Sequence, residues 1–191
     1  MSSPSLTKPA IFDAIIPGTG VLRDAMLITG GALFTTLGAQ ITIPWQPVPF
    51  TLQTLSVMLC GLTLGSRKGM LSQLLYVGLG AIGIPVFAQG KFGLQPIMGA
   101  TGGYIVSFAL VAAVLGWLAE RNWTKTPLRT GAAMIIGSVV TLGIGAAWLS
   151  TSIGAKGALL AGVVPFLLPE AMKALVVLVA LPSAWKWVRE G

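Results

Sequence analysis

From Leu22 to Val188 the chain alternates apolar runs of 15 to 22 residues with short polar segments. This alternation constrains the fold more than any other feature. Charged residues make up 9% of the 191, against about 25% in an average soluble domain. A soluble globule is therefore nearly excluded. Six spanning helices of about 20 residues would use roughly 120 positions. The remainder covers two tails and five short loops, with no room for a soluble catalytic domain. The expected fold is an all-α integral membrane protein with six transmembrane helices, one membrane domain over residues 1–191.

The expected spans are 22–43, 51–65, 70–88, 101–119, 130–149 and 169–188. Met1 to about Val21 forms a polar tail that does not read as a signal peptide, because no compact apolar core follows Lys8. Pro44, Pro47 and Pro49 exclude a helix between the first two spans, since proline removes a donor and fixes φ. Ser66 to Gly69 is expected to end the second span. The third carries Gly78, Gly80, Gly83 and Pro85, and a glycine-rich loop follows from Gln89 to about Gly99. A long connection, Ser150 to Leu168, is expected before the sixth span. Pro169 is expected as its first helical residue, where a missing N–H costs nothing.

Basic residues set the orientation. Lys8, Arg23, Arg67, Lys68, Arg121, Lys125, Arg129, Lys186 and Arg189 fall on one side of a six-span topology, and only Lys91 and Lys156 fall on the other. That bias places both termini in the cytoplasm. Trp117, Trp123, Trp148, Trp185 and Trp187 lie near span ends, as interfacial aromatics do. The net charge of +7 is scattered between apolar runs and not gathered in a patch, so no nucleic-acid partner is expected.

The inventory also limits the chemistry. There is no histidine and one cysteine, Cys60, so an internal disulfide, a His or Cys₂ metal site and a Ser-His or Cys-His nucleophile are all excluded. No metal and no cofactor is expected. No G-x-x-x-x-G-K-[ST] phosphate loop occurs, so any ATP-driven transport requires an ATPase on another chain.

Glu170 and Lys173 are the only charges well inside the last apolar stretch, and at i, i+3 they share a helix face. Ionisable groups at membrane depth face a cavity or a partner. Either these two simply pair with each other, or they serve a polar ligand in an outward-facing pocket. Gln53, Gln73 and Gln89 add polar groups in or beside spans, each able to serve a ligand or a neighbouring helix. Gly90 to Gly93 and Gly99 to Tyr104 can bring backbone close to a ligand or simply serve turns and helix packing. In the first span Gly31, Thr35 and Ala39 form a small-residue stripe that permits close helix contact, within this bundle or with a second protein.

Four segments carry a family resemblance: Pro47-Val48-Pro49-Phe50-Thr51-Leu52-Gln53-Thr54-Leu55, Gly83-Ile84-Pro85-Val86-Phe87-Ala88, Thr101-Gly102-Gly103-Tyr104, and Pro165-Phe166-Leu167-Leu168-Pro169-Glu170-Ala171-Met172-Lys173. In order and spacing they resemble the BioY family, the biotin-binding S components of energy-coupling factor transporters. The resemblance implies six transmembrane helices in the bacterial cytoplasmic membrane and biotin capture from the outer side. It also implies a transmembrane T subunit and two ATPase subunits as partners, although some members are found without a dedicated module. It assigns biotin to Phe50, Thr51, Gln53, Gln89, Tyr104, Glu170 and Lys173, and coupling to the Gly31, Thr35, Ala39 stripe. Two positions depart from the usual family pattern: Ala100 stands for proline, and Glu170 for aspartate. Biotin suits the inventory, with a ureido ring of two N–H donors and one carbonyl, an apolar body and a carboxylate tail. The rival readings are an S component for another vitamin such as thiamine, a membrane enzyme using Glu170 as acid or base, and a structural membrane subunit. The enzyme reading lacks a second carboxylate, histidine or metal set beside Glu170.

Overall fold

The computed structural model describes residues 10–15, 18 and 20–190. Lys8 and the Arg189 side chain, both counted toward the orientation above, lie outside the described part. Eight helices follow in order: α1 Ile11–Ile15, α2 Val21–Gln40, α3 Gln53–Leu64, α4 Ser66–Ala81, α5 Gln95–Met98, α6 Gly102–Ala119, α7 Pro127–Gly162 and α8 Leu167–Glu190. Between α2 and α3 the proline-rich segment forms a hairpin of two-residue strands, β1 Thr42–Ile43 and β2 Phe50–Thr51, with Thr42 opposite Thr51. Short 3₁₀ turns cover Ala88–Gly90 and Val164–Phe166.

Helix α6 is the centre of the bundle. It packs on α3, α4 and α7, while α2 covers α3 and α4, and α8 lies on α7. Its inward residues include Phe108, Val111, Ala112 and Leu115. The outer surface is also apolar: Leu33 and Leu37 on α2, Ile135 and Val139 on α7, and Leu175 and Val179 on α8 are all exposed. Helices apolar on every side belong in lipid, not water. Gly102–Ala119 and the stretch Pro127–Trp187 are long and apolar enough to cross a membrane.

Four boundaries differ from the sequence expectation, each for a local reason. The third span ends at Ala81, not near Ala88. Gly83, at φ 108, closes α4 with its N–H on Gly80 O and the Ile84 N–H on Leu79 O, a Schellman ending sealed by Pro85. Ser66 to Gly69 forms the first turn of α4, because Gly65 alone separates it from α3. The Ser66 N–H there donates to Glu120 Oε1 at 2.8 Å, which satisfies an orphan donor of the helix start. The expected connection from Ser150 to Leu168 is helical to Gly162, broken only by Gly154 at φ 76. Pro169 is the third residue of α8, still within the first turn where no intrahelical N–H partner is required.

The stripe Gly31, Thr35, Ala39 faces inward, against helices of the same chain. A Cβ on Gly31 would lie 2.9 Å from Leu64 Cδ1 and from Ser72 Cβ. Thr35 Oγ1 donates to Gln73 Oε1 at 3.2 Å, and Ala39 is fully buried. The small residues do permit close approach, and the neighbours they admit are α3 and α4 of the same chain. Gln73 is likewise taken up between helices, with Thr35 and Ser72 as partners.

One end of the bundle is clasped by charge. Asp13 of α1 accepts from Arg23 at 2.8 Å and from Lys68, joining α1, α2 and α4. Burial pushes the Asp13 pKa up, but hydrogen bonds and charge from Lys68 and Arg23 outweigh it and hold the carboxyl below its ordinary 3.8. A depressed pKa stabilises the fold above the unfolded value, and that contribution disappears as pH falls through the folded one. Asp13→Asn should therefore lower the melting temperature at neutral pH. The gap from the parent protein should close on acidification to about pH 3 or below, as a thermal-shift series across pH would record.

Candidate ligand-binding site

The opposite end of the bundle holds a cleft of about 320 Å³, near the lower limit of small-molecule sites, ~300–1,000 Å³. Its position follows from the shortness of α3. That helix has 12 residues, so its first turn starts well inside the bundle, and the β hairpin fills only part of the space above it. Trp45 to Pro49 of the hairpin loop form one wall, and the segment from Phe87 to Lys91 forms another. Tyr104, Ile105 and Phe108 of α6 supply the floor, with Leu142 and Phe166 beside them.

Two helix starts converge at the buried end. Thr54 lies in the first turn of α3 and Glu170 in the first turn of α8. Thr54 Oγ1 donates to Glu170 Oε1 at 2.7 Å, and Ser138 Oγ of α7 donates to Oε2 at 3.1 Å. Lys173 Nζ bonds both Glu170 Oε1 and Thr54 Oγ1 at 2.7 Å. The positive ends of two helix dipoles favour a carboxylate at this point. Glu170 is 4% exposed, so its charge is held by Lys173 and two hydroxyls. The cluster presents a carboxylate, an ammonium and hydroxyls to the cleft, groups that can accept N–H donors and meet a carbonyl oxygen.

Six of the seven residues assigned to the ligand line this cleft: Thr51, Gln53, Gln89, Tyr104, Glu170 and Lys173. Phe50 is not among the lining residues. Its ring packs against two residues that do line it, 4.6 Å from Phe166 and 5.6 Å from Trp45. Outside the Glu170–Lys173 pair, three of the six have polar atoms already engaged, with Thr51 Oγ1 accepting the Gln53 N–H at 3.2 Å. Gln53 Nε2 donates to Tyr76 Oη at 2.6 Å, and Tyr104 Oη donates to Gly162 O at 2.7 Å. Tyr104 therefore offers its ring, not its hydroxyl. Gly102 and Gly103 meet Trp148 across the α6–α7 contact, so they serve packing.

Sequence reasoning missed Thr54 and Ser138. Thr54 lies three residues beyond Thr51, inside the same Pro47–Leu55 segment that carries the resemblance. Ser138 carries no such sign, because a serine in an apolar helix commonly bonds its own backbone. It also missed Gln40, the last residue of α2. The Gln40 amide accepts from Gly90 N–H at 3.1 Å through Oε1, and its Nε2 lies 3.2 Å from Phe87 O and 3.4 Å from Val86 O. This clamp fixes the wall on which Gln89 adopts a left-handed backbone, φ 62.

A helical bundle with an apolar outer surface, enclosing a small cleft with a buried ion pair, defines a membrane protein built to hold a small polar ligand. The BioY family model matches residues 7–190, and the chain belongs to that family. It is 39% identical over 152 residues to a probable biotin transporter BioY of Pyrococcus horikoshii, covering 80% of this chain and 90% of that one. With the biotin transporter BioY of Thermotoga maritima it shares 44% over 121 residues, 62% of this chain and 71% of the relative. The fold matches the crystal structure of the S-component for biotin from an ECF-type ABC transporter, with a TM-score of 0.71 at 23% identity, over 88% of this chain and 95% of that one.

Proposed function

We propose that this protein captures biotin from outside the cell and delivers it inward as the S component of an ECF-type importer. The carrying observation is the Thr54–Ser138–Glu170–Lys173 cluster at the buried end of the cleft, in a chain of the BioY family. A ureido ring suits that cluster. Its two N–H groups find carboxylate and hydroxyl acceptors, and its carbonyl finds a donor. The apolar bicycle lies against Tyr104, Phe108 and Phe166. Energy comes from a T subunit and two ATPase subunits on other chains. The location is the bacterial cytoplasmic membrane.

In this reading α2, α3, α4, α6, α7 and α8 are six spans with both termini inside. The clasp of Arg23 and Lys68 supports it, since it gathers basic residues from separate segments at the end opposite the cleft. A side-by-side titration of the purified protein with biotin and thiamine tests the function. Saturable binding of biotin alone is expected, and binding of thiamine in its place overturns the reading.

The Gln40 clamp carries a kinetic expectation. Gln40→Leu removes the hydrogen bonds that hold the Val86–Gly90 wall. Each contributes about 0.5–1.5 kcal/mol, so biotin should dissociate about tenfold faster. The ligand-free melting temperature should fall modestly as well, since the same bonds belong to the ligand-free fold and water replaces them only in part at this exposed residue. Stopped-flow displacement measures the rate, and an unaltered dissociation rate removes Gln40 from the account.

A further inference from the structure

Helix α6 keeps one face that its packing on α3, α4 and α7 leaves uncovered. Val106, Leu110 and Trp117 are exposed there, Val114 is half-buried, and Arg121 follows one turn beyond the indole. Steps of four, four, three and four residues keep all five on one side of the helix. From Val106 to Arg121 the strip runs about 22 Å, the depth of one leaflet with its headgroups. Its charged end is held in place. Helix α6 stops in a Schellman turn with Asn122 at φ 65, where the Trp123 N–H bonds Leu118 O and the Asn122 N–H bonds Ala119 O. The Arg121 side chain folds back along the helix. Its guanidinium carbon lies 3.7 Å from the centre of the Trp117 ring, and Nη1 donates to Trp117 O at 3.1 Å. The other guanidinium N–H groups meet no partner among the described residues. The neighbouring Glu120 does not neutralise them, because its carboxylate accepts the Ser66 N–H at 2.8 Å. That bond also places the turn at the α3–α4 end of the bundle, away from the cleft. Trp117 is 48% exposed, whereas Trp185, under Lys125, is buried and belongs to the core.

We propose that this strip seats one anionic phospholipid, with its acyl chains along Val106, Leu110 and Val114 and its phosphate on the Arg121 guanidinium. A guanidinium fixed in plane presents paired N–H groups that match phosphate oxygens, and stacking on an indole leaves that edge open. An exposed tryptophan at this level sits among headgroups. Lys125 and Arg129 follow Arg121 with no further acid before α7, so a headgroup with net negative charge is preferred over a zwitterionic one. The apolar strip separates a lipid from an acidic protein surface, which would meet the cation and leave the strip uncovered. The site needs neither biotin nor a partner subunit.

The test melts the whole chain in nanodiscs of phosphatidylcholine, with and without phosphatidylglycerol. The anionic lipid should raise the melting temperature of the unsubstituted protein by about 2–4 °C. Arg121→Ala should melt lower in both discs, because Trp117 loses its cover, and should lose the increment. Its cooperative melt in phosphatidylcholine shows that the variant is folded. Trp117→Leu keeps the charge but unseats it, and should lose most of the increment as well. Arg129→Ala removes an exposed charge from the first turn of α7 and should keep it. Glycerol 3-phosphate or polyglutamate added to phosphatidylcholine discs should produce no shift. No increment in the unsubstituted protein, or a full increment in Arg121→Ala, overturns the assignment. Equal losses in Arg121→Ala and Arg129→Ala reduce it to diffuse attraction of basic residues and overturn it too. A shift from glycerol 3-phosphate or polyglutamate equal to that from the lipid assigns Arg121 to a soluble anion or an acidic protein, and the lipid site falls.

Discussion

Lys173→Ala should weaken biotin binding by roughly 2–5 kcal/mol, the loss typical when one partner of a buried charge pair is removed. The ammonium bonds Glu170 and Thr54 at once, so its removal leaves a carboxylate that is 4% exposed with only hydroxyl partners. The pair also belongs to the unliganded fold, and the melting temperature of the ligand-free variant should fall as well. Affinity and ligand-free stability must therefore be measured on the same samples. If Glu170 and Lys173 serve only each other, stability falls and affinity holds. If they serve biotin, affinity falls in whatever protein remains folded. Glu170→Asp withdraws the carboxylate by about 1.5 Å, one C–C bond, and keeps its charge. Its loss should stay within about tenfold, whereas Glu170→Gln replaces one acceptor by a donor and should lose more.

Gly31→Trp should destabilise the ligand-free protein by about 3 kcal/mol or more, the upper range for overpacking. A Cβ at this position already meets Leu64 and Ser72 at 2.9 Å, and an indole cannot be accommodated without separating α2 from α3 and α4. The matching control is Leu37→Trp on the exposed face of the same helix, which should leave the melting temperature nearly unchanged. A stable Gly31→Trp protein with native melting behaviour would contradict the inward placement of the stripe.

That stripe shows where sequence reasoning reaches its limit. Glycine, threonine and alanine at four-residue spacing announce a close contact, but nothing in the spacing says which helix makes it. The apolar runs were legible as helices because charge is excluded from them over whole spans. Their ends were less so. Gly83 and Pro85 fall inside the third span as the apolar pattern draws it, yet together they terminate it. Ser150 to Leu168 is expected as a connection, yet most of it is helical. Ala155, Ala158, Leu159, Leu160 and Ala161 are strong helix formers, and they restore the helix within one residue of the break. Glu170 and Lys173 stood out because charge is costly in an apolar run. Thr54 and Ser138, which complete their cluster, did not, since a hydroxyl in such a run raises no alarm.

The break at Gly154 has a consequence for depth. Irregular backbone is not left facing hydrocarbon, so with α7 placed across the bilayer as proposed, Gly154 marks the outer interface. Ser138, which holds Glu170, lies sixteen residues down the same helix, about 24 Å away. Trp185 bonds Thr124 in the turn before α7 and marks the other interface, fifteen residues beyond Glu170, or about 22 Å. On that proposed placement the ion pair lies between these two levels, inside the transmembrane voltage. Paired, Glu170 and Lys173 form a unit with no net charge for that field to act on. Separated by substitution, the survivor becomes a gating charge, and occupancy of the site in energised membranes should then respond to membrane potential, which the intact pair is built to ignore.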